Sequence, residues 1–386
     1  MRSGPGERSD LLRTASMVAL PQELVDTIVN NLDDKASWKS CSLAAKAFVP
    51  PSQRLLFEEM TFPTEAELLG MLSELFSESP HLAGFIRWVT IETSRTLAVC
   101  SVLESLLRTL LRGQIQRLSV RGNLDRIPLT LRQAILELIY QPSVQTLDLV
   151  TFGDCPSSLL AIALASCRKV SFVCQGISVD SSGAGPVEDA PGALVNCAVE
   201  ELEATVWGSS RDSLQQSGIF RNLGRLWRLE IHLRDLMAIR SACCATLTHL
   251  TLYDIGTSTS RQFPHLEALR FLTLWSKISR FAEELALIAK SLSTAVPLLE
   301  ILTIVASAKF PYPPPFTNEI PRPEIDAGLA TLLRLKEVNF TLLDGYGGPM
   351  EPARYRECFE RVLPQALQAN LLTFTFTGEL QQNFFE

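Results

Sequence analysis

A phrase of the form apolar-x-x-apolar-x-apolar recurs along this chain. It reads IQRLSV at 115–120, VQTLDL at 144–149, LWRLEI at 226–231, LTHLTL at 247–252 and LEILTI at 299–304. Looser copies are IRWVTI at 86–91, CRKVSF at 167–172, VEELEA at 199–204, LEALRF at 266–271, LKEVNF at 335–340 and LLTFTF at 371–376. Neighbouring copies start 19 to 36 residues apart. The second half of each phrase alternates as a half-buried strand does. One copy means little. Eleven copies with helical or loop segments between them predict stacked units, each burying its apolar face against its neighbours. Such a chain is usually a scaffold with a recognition surface.

The intervening segments carry helical periodicity. Leu68, Leu69, Leu72, Leu75 and Phe76 mark a helix at 65–78. Further helices are expected at 97–112, 130–140, 156–165, 281–294 and 351–369, each ahead of a strand phrase. Strands joined through helices, without return hairpins, predict a parallel sheet of up to about eleven strands. The competing fold is a doubly wound sheet, whose strand order would have to reverse. Three segments interrupt the alternation: 178–192 and 342–352, which are turn-rich, and 309–323, which is proline-rich. The last could offer a polyproline II ligand, but reads better as a stiff loop.

The start of the chain reads differently. Residues 1–19 are expected to be a loose tail. From Leu20-Pro21 onward, Leu24, Ile28 and Leu32 recur every four residues and make one apolar helical stripe. Asp33-Asp34 breaks that helix and can cap a second one, carrying Trp38, Cys41, Leu43 and Ala44. Val49-Pro50-Pro51 interrupts or restarts the chain, and a third helix is expected from Ser52 to Glu58, with Leu55, Leu56 and Phe57 apolar. The strand-like EMTF at 59–62 comes next. Three short helices alone bury only a modest core, so this unit must lean on the adjoining repeats or on a partner.

Composition narrows the function classes. Apolar residues are 46% and charged residues 20%, which is a folding composition. The net charge is -7 and Lys and Arg are scattered, which argues against nucleic-acid binding. The longest apolar stretch, SLLAIALASC at 158–167, is about half the length a membrane span needs. MRSGPGERSD lacks the apolar region of a secretory signal. The nine cysteines include no C-x-x-C, which fits a reducing compartment, cytoplasmic or nuclear, and mostly buried thiols. Cys243–Cys244 could oxidise but reads better as core filling. The sequence holds no nucleophile elbow and no glycine-rich phosphate loop, so no catalytic residue, metal or cofactor is expected. His232 and Asp235 could be argued as a base and its orienter, and Glu200, Glu201 and Glu203 as metal ligands. Ordinary solvated side chains at the edges of the strands account for both sets. The sequon Asn339-Phe340-Thr341 lies inside a strand phrase and is expected to be silent.

Residues 20–62 resemble an F-box, and more narrowly the F-box-like domain of fungal proteins. The Leu20-Pro21-x-Glu23-Leu24 opening, Ile28 and Leu32 match its first helix. Asp33-Asp34, Cys41, Leu43 and Ala44 fit its second, and Arg54, Leu55, Leu56 and Phe57 its closing helix. Phe48 stands where an F-box usually carries tryptophan. The resemblance implies an α/β chain with a short all-helical F-box-like head at 20–62, followed at 63–386 by a degenerate leucine-rich-repeat solenoid with a parallel β-sheet. It implies docking onto the Skp-type adaptor of a cullin-RING ubiquitin ligase, with the repeat arm capturing a protein client. Leu20, Pro21, Leu24, Ile28, Leu32, Leu43, Phe48, Leu56 and Phe57 would include the adaptor-facing or domain-core positions. The alternative is a non-catalytic repeat scaffold whose head is only a structural cap. Exposure of the head's large apolar residues discriminates the two.

In a solenoid, the non-leucine strand positions of successive repeats lie side by side. Trp207, Trp227, Arg228, Tyr253 and Trp275 fall within or just after the middle phrases, and aromatic and arginine residues dominate binding hot spots. The client-binding candidates are Trp227, Arg228, Thr248, His249, Glu267 and Ala268. Each pair lies between the first two apolar positions of its phrase.

Overall fold

The alternation of the recurring phrase becomes strands in a computed structural model of the chain. The structure describes residues 20–93, 97–124, 127–178, 198–206, 223–232, 242–253, 263–277, 294–308, 323–344 and 363–377, with a few isolated residues between them. The tail at 1–19, nearly all of the expected helix at 281–294, Trp207, and most of 178–192, 309–323 and 342–352 lie outside the described residues.

The strands are β1 (Glu59–Phe62), β2 (Trp88–Glu92), β3 (Arg117–Gly122), β4 (Thr146–Thr151), β5 (Asp154–Pro156), β6 (Lys169–Cys174), β7 (Gly176–Ser178), β8 (Glu201–Val206), β9 (Arg228–His232), β10 (His249–Tyr253), β11 (Phe271–Lys277), β12 (Ile301–Ala308), β13 (Glu337–Asp344) and β14 (Leu372–Thr377). Twelve of them form one sheet in the order β1-β2-β3-β4-β6-β8-β9-β10-β11-β12-β13-β14, while β5 and β7 pair by themselves. The pairings are parallel. The order of the large sheet follows the chain and nowhere reverses, so the doubly wound alternative fails.

Register explains the phrase. Val89, Leu118, Leu147, Val170, Leu202, Leu229, Leu250, Leu272, Leu302 and Val338 face one another along one row. Ile91, Val120, Leu149, Phe172, Ala204, Ile231, Leu252, Leu274, Ile304 and Phe340 form the next. Both rows are buried and belong to one continuous core. The helices α4 (Ala66–Glu78), α5 (Leu97–Leu110), α6 (Leu129–Ile139) and α7 (Ser157–Ser166) add their apolar faces to that core through Leu69, Leu103, Leu131 and Leu159. The opposite sheet face carries the polar alternates.

Two phrases sit in a different register from the one their spacing suggests. His249 pairs with Phe271 and Leu250 with Leu272, so the phrase is LRFLTL at 269–274 and not LEALRF at 266–271. Leu266, Leu269, Phe271, Leu272 and Leu274 satisfy either reading; the ladder decides between them. Val338 pairs with Leu372 and Phe340 with Phe374, which moves the last phrase back by two residues from 371–376. Asn370, at φ 56, turns the chain into that strand. Asparagine tolerates this left-handed conformation better than most residues.

The head has its three helices: α1 (Gln22–Asn30), α2 (Lys35–Ala44) and α3 (Val49–Glu58). Asp34 caps α2, its carboxylate accepting from the Ser37 N–H at 2.8 Å and the Ser37 hydroxyl at 2.6 Å. These bonds hold the Asp34 carboxyl below its ordinary pKa. Pro50 and Pro51 do not interrupt α3 but open it, since a first-turn proline gives up an N–H that has no partner anyway. Trp38 Nε1 donates to the Leu32 carbonyl at 3.0 Å, and Arg54 to the Asn30 side chain at 3.2 Å. The end of the head at 62 is also the start of the sheet. Glu59–Phe62 pairs with β2 as the sheet's first strand, and Phe57-x-x-Met60-x-Phe62 is one more copy of the phrase.

Candidate functional site

Two surfaces combine the predicted residues. The first is on the head. Helix α1 carries two stripes at the same helical spacing. Val25 and Val29 are fully buried, whereas Leu20, Leu24 and Ile28 are 52%, 51% and 43% exposed. Leu43 on α2 is 87% exposed, and Pro21 is exposed beside Leu20. Leu32, Phe48 and Leu56 are half-buried. Phe57 packs against the sheet core. That position makes it part of the interior, and leaves Leu20, Leu24, Ile28 and Leu43 as the exposed candidates of the head.

The second surface is the polar face of the sheet. Parallel register stacks Arg117, Thr146, Lys169, Glu201, Arg228, His249 and Phe271 in one row. Ser119, Asp148, Ser171, Glu203, Glu230, Thr251 and Thr273 form the next row. The charged groups are largely matched. Arg117 donates to Asp148 at 2.8 and 2.9 Å. Lys169 lies 3.7 Å from Glu201, and Arg228 2.8 Å from Glu230. Tyr253 donates its hydroxyl to the other Glu230 oxygen at 2.9 Å. Burial, then the Glu230 carboxylate, pushes the Tyr253 pKa well up.

Aromatic rings adjoin this polar field. Trp227 meets His249 edge-on at 5.1 Å, and His249 stacks on Phe271 at 4.2 Å. Tyr253 lies 6.0 Å from His232 and 5.7 Å from Trp275. The Thr248 hydroxyl donates to the Trp227 carbonyl at 3.2 Å and sits 2.9 Å from His249 Nδ1. Burial and the Arg228 charge hold the His249 pKa below its ordinary value.

The structure therefore brings together Trp227, Arg228, Thr248 and His249. It separates Glu267, which lies ahead of β11 and pairs with His265 at 3.3 Å; Ala268 lies beside it. The correction comes from the register: Phe271, not Ala268, stands opposite His249. Phe271 and Glu230 are surface members that spacing did not single out, and Glu203, noted only in an acidic cluster, joins them. Reading the phrase at 269–274 would have found Phe271.

The described thiols show no disulfide, and Cys100, Cys155, Cys167, Cys174 and Cys243 are buried. Desolvation pushes Cys167, Cys174 and Cys243 up to about 12, which leaves them poor nucleophiles. Among the described residues no group of three His, Cys, Asp or Glu side chains could hold a metal ion, and no helix is long and apolar enough to cross a membrane. No protein-family model and no curated protein matches the chain.

Proposed function

We propose that this chain is a substrate receptor of a Skp-cullin-F-box type ubiquitin ligase. The head docks on the Skp-type adaptor, and the sheet face holds a protein client. The observation that carries the reading is the outer stripe of α1. Leu24 and Ile28 occupy one face of α1 and remain about half exposed, with Leu20 exposed just ahead of the helix, although Val25 and Val29 already supply the helix with a buried face. A head serving only to close the scaffold has no use for a second apolar stripe, and exposed apolar surface on one face of a small domain marks a docking site. The residues of the stripe are those of the F-box-like opening.

The rest of the chain suits the second half of that role. Twelve parallel strands stacked in chain order fit a leucine-rich-repeat-like solenoid, in which each unit contacts its neighbours and successive strand positions build one long surface. The ring cluster at Trp227, His249 and Phe271 has the composition of a binding hot spot. The receptor performs no chemistry itself; it brings the client to the ligase.

The test is co-purification with a Skp-type adaptor. The parent chain retains the adaptor, and Leu24→Asp and Ile28→Asp variants, still folded by circular dichroism, lose it. A parent chain that fails to bind any Skp-type adaptor overturns the reading.

A further inference from the structure

Between β3 and β9 the described polar face is balanced except at one position. In its first two rows between β3 and β9, the cations are Arg117, Lys169 and Arg228, and the carboxylates are Asp148, Glu201, Glu203 and Glu230. Asp148, Glu201 and Glu230 each have a cation within ion-pair distance. Glu203 has the Ser171 hydroxyl at 3.1 Å as its hydrogen-bond donor and no ion pair among the described residues. It pairs in register with Glu230 on the next strand, so a like charge faces it. Burial first, then Glu230, raises its pKa, while Lys169 acts in the opposite direction. A half-buried carboxylate in this setting gains from any added cation.

Glu203 also lines a cleft of about 380 Å³, with Trp88, Gln116, Arg117, Asp148 and Lys169 among its other walls. Ser119 is a buried member of the same face. It occupies the same sheet face and row as Asp148, is 6% exposed, and its hydroxyl has no hydrogen-bond partner among the described residues. Leaving a buried hydroxyl unpaired is costly. Ser119 and Glu203 are separated by three strand spacings, about 14 Å, which an extended segment of four or five residues spans.

We propose that the client presents an extended segment across β3 to β10, with a lysine or arginine side chain on Glu203. One end of the segment lies in the cleft beside Arg117 and Asp148. The other sets an apolar residue against the rings of His249 and Tyr253, about 10 Å beyond Glu203 across two strand spacings. The inference rests on the reading of this face as the client surface and adds the chemistry of what it recognises.

The probe is a randomised octapeptide library displayed on phage and panned against the full chain and its Glu203→Gln variant. Binders to the parent are expected to be enriched in lysine or arginine at a fixed offset from an apolar residue, with that enrichment absent on the variant. A synthetic peptide from the parent set should lose affinity about tenfold when its basic residue becomes citrulline or norleucine, the loss expected for a charge-assisted hydrogen bond. On Glu203→Gln the same exchange should change affinity less than about twofold. A library with no binders, binders no richer in basic residues than the input, or an equal loss on the variant each overturns the proposal. Adaptor co-purification does not involve Glu203. A chain that keeps the adaptor yet shows no cation preference defeats this inference and leaves the receptor reading standing.

Discussion

His249 and Phe271 stack with ring centroids 4.2 Å apart and planes 16° from parallel. The cause is the ladder: the two are opposite partners on neighbouring parallel strands, and each occupies the first polar-face position of its strand. Trp227 closes the group edge-on, its ring at 84° to the imidazole. Three strand units thus contribute one aromatic side chain each to a single patch. A neutral imidazole suits the stack, and burial together with Arg228 favours that form.

The patch should dominate client affinity. Trp227→Ala and Phe271→Ala should each cost about 2 kcal/mol or more of binding, as buried aromatic anchors do, while Thr273→Ala in the next row should be tolerated. His249→Phe should preserve binding, because stacking needs a flat ring and no charge. The pH dependence comes from the lowered pKa. A base held below its ordinary value of 6.5 contributes above that value and is lost as pH falls through the lower, folded value. Binding measured by titration should be level from pH 7 to 8 and weaken only below the ordinary histidine range. Among the described residues the groups facing the ring are Thr248, Trp227, Arg228 and Phe271, and none of them is a carboxylate that would reverse the sign. Weakening that begins above pH 7 would contradict a neutral stack.

The two stripes of α1 should separate cleanly by experiment. Leu24→Ala removes a side chain that is half in water, and should cost stability within about 0.5 kcal/mol while reducing adaptor retention strongly. Val25→Ala removes a fully buried side chain and should destabilise the head by about 1–3 kcal/mol through the cavity it leaves. Denaturant unfolding and adaptor pull-down together give the answer. Equal loss of stability in both variants would mean that Leu24 is packed in solution.

These elements also show how far the sequence is legible. The strand phrase is legible because ten of its copies, from 86 to 340, each bury three residues against neighbours that do the same. The helices between copies make the pairing parallel. The two faces of α1 are not separable by periodicity, because Leu24 and Ile28 recur at the same interval as Val25 and Val29; only packing shows which stripe is inside. The same ambiguity hid the register of β11, where leucines occupy several alternate positions. Phe57 fits both a closing F-box-like helix and the first strand phrase, and its contact with the sheet core assigns it to the interior. Partners such as Arg117 and Asp148 are 31 residues apart, and no spacing rule joins them before the register is known.

Glu203 makes a prediction about stability that is independent of any client. Its pKa is raised, mainly by burial and then by Glu230. A carboxyl with a raised folded pKa contributes fully below its ordinary value of 4.5 and loses that contribution as pH rises through the folded value. The ionised group is therefore a cost at pH 7. Asp148 and Glu230 add to that cost, and Lys169 and the Ser171 hydroxyl reduce it. Glu203→Gln should unfold at a higher temperature than the parent at pH 7, with the difference shrinking as the pH approaches 4. A variant less stable than the parent at pH 7 would show that the carboxylate already has its counter-ion.

A single carboxylate fastens the far end of the sheet. Asp326, 1% exposed, lies in α8 (Pro323–Ala330). It accepts hydrogen bonds from the Gln365 N–H at 2.7 Å and the Ala366 N–H at 3.0 Å. Those amides open α9 (Pro364–Gln368), whose own cap position, Leu363, offers no side-chain acceptor. Asp326 thus serves as a cap supplied from about forty residues earlier in the chain, and its negative charge suits the positive end of a helix. Asp326→Ala would leave two inward amides unpaired and should cost about 2–3 kcal/mol. Asp326→Asn, which keeps one acceptor oxygen, should cost about half of that. The damage should be local, because each strand unit leans on its neighbours and not on the whole. Hydrogen exchange should speed up at 337–344 and 372–377 and stay unchanged at 88–92 and 117–122, with adaptor retention intact. Faster exchange throughout the sheet would show that it unfolds as one unit, and the stacked, unit-by-unit description would have to be given up.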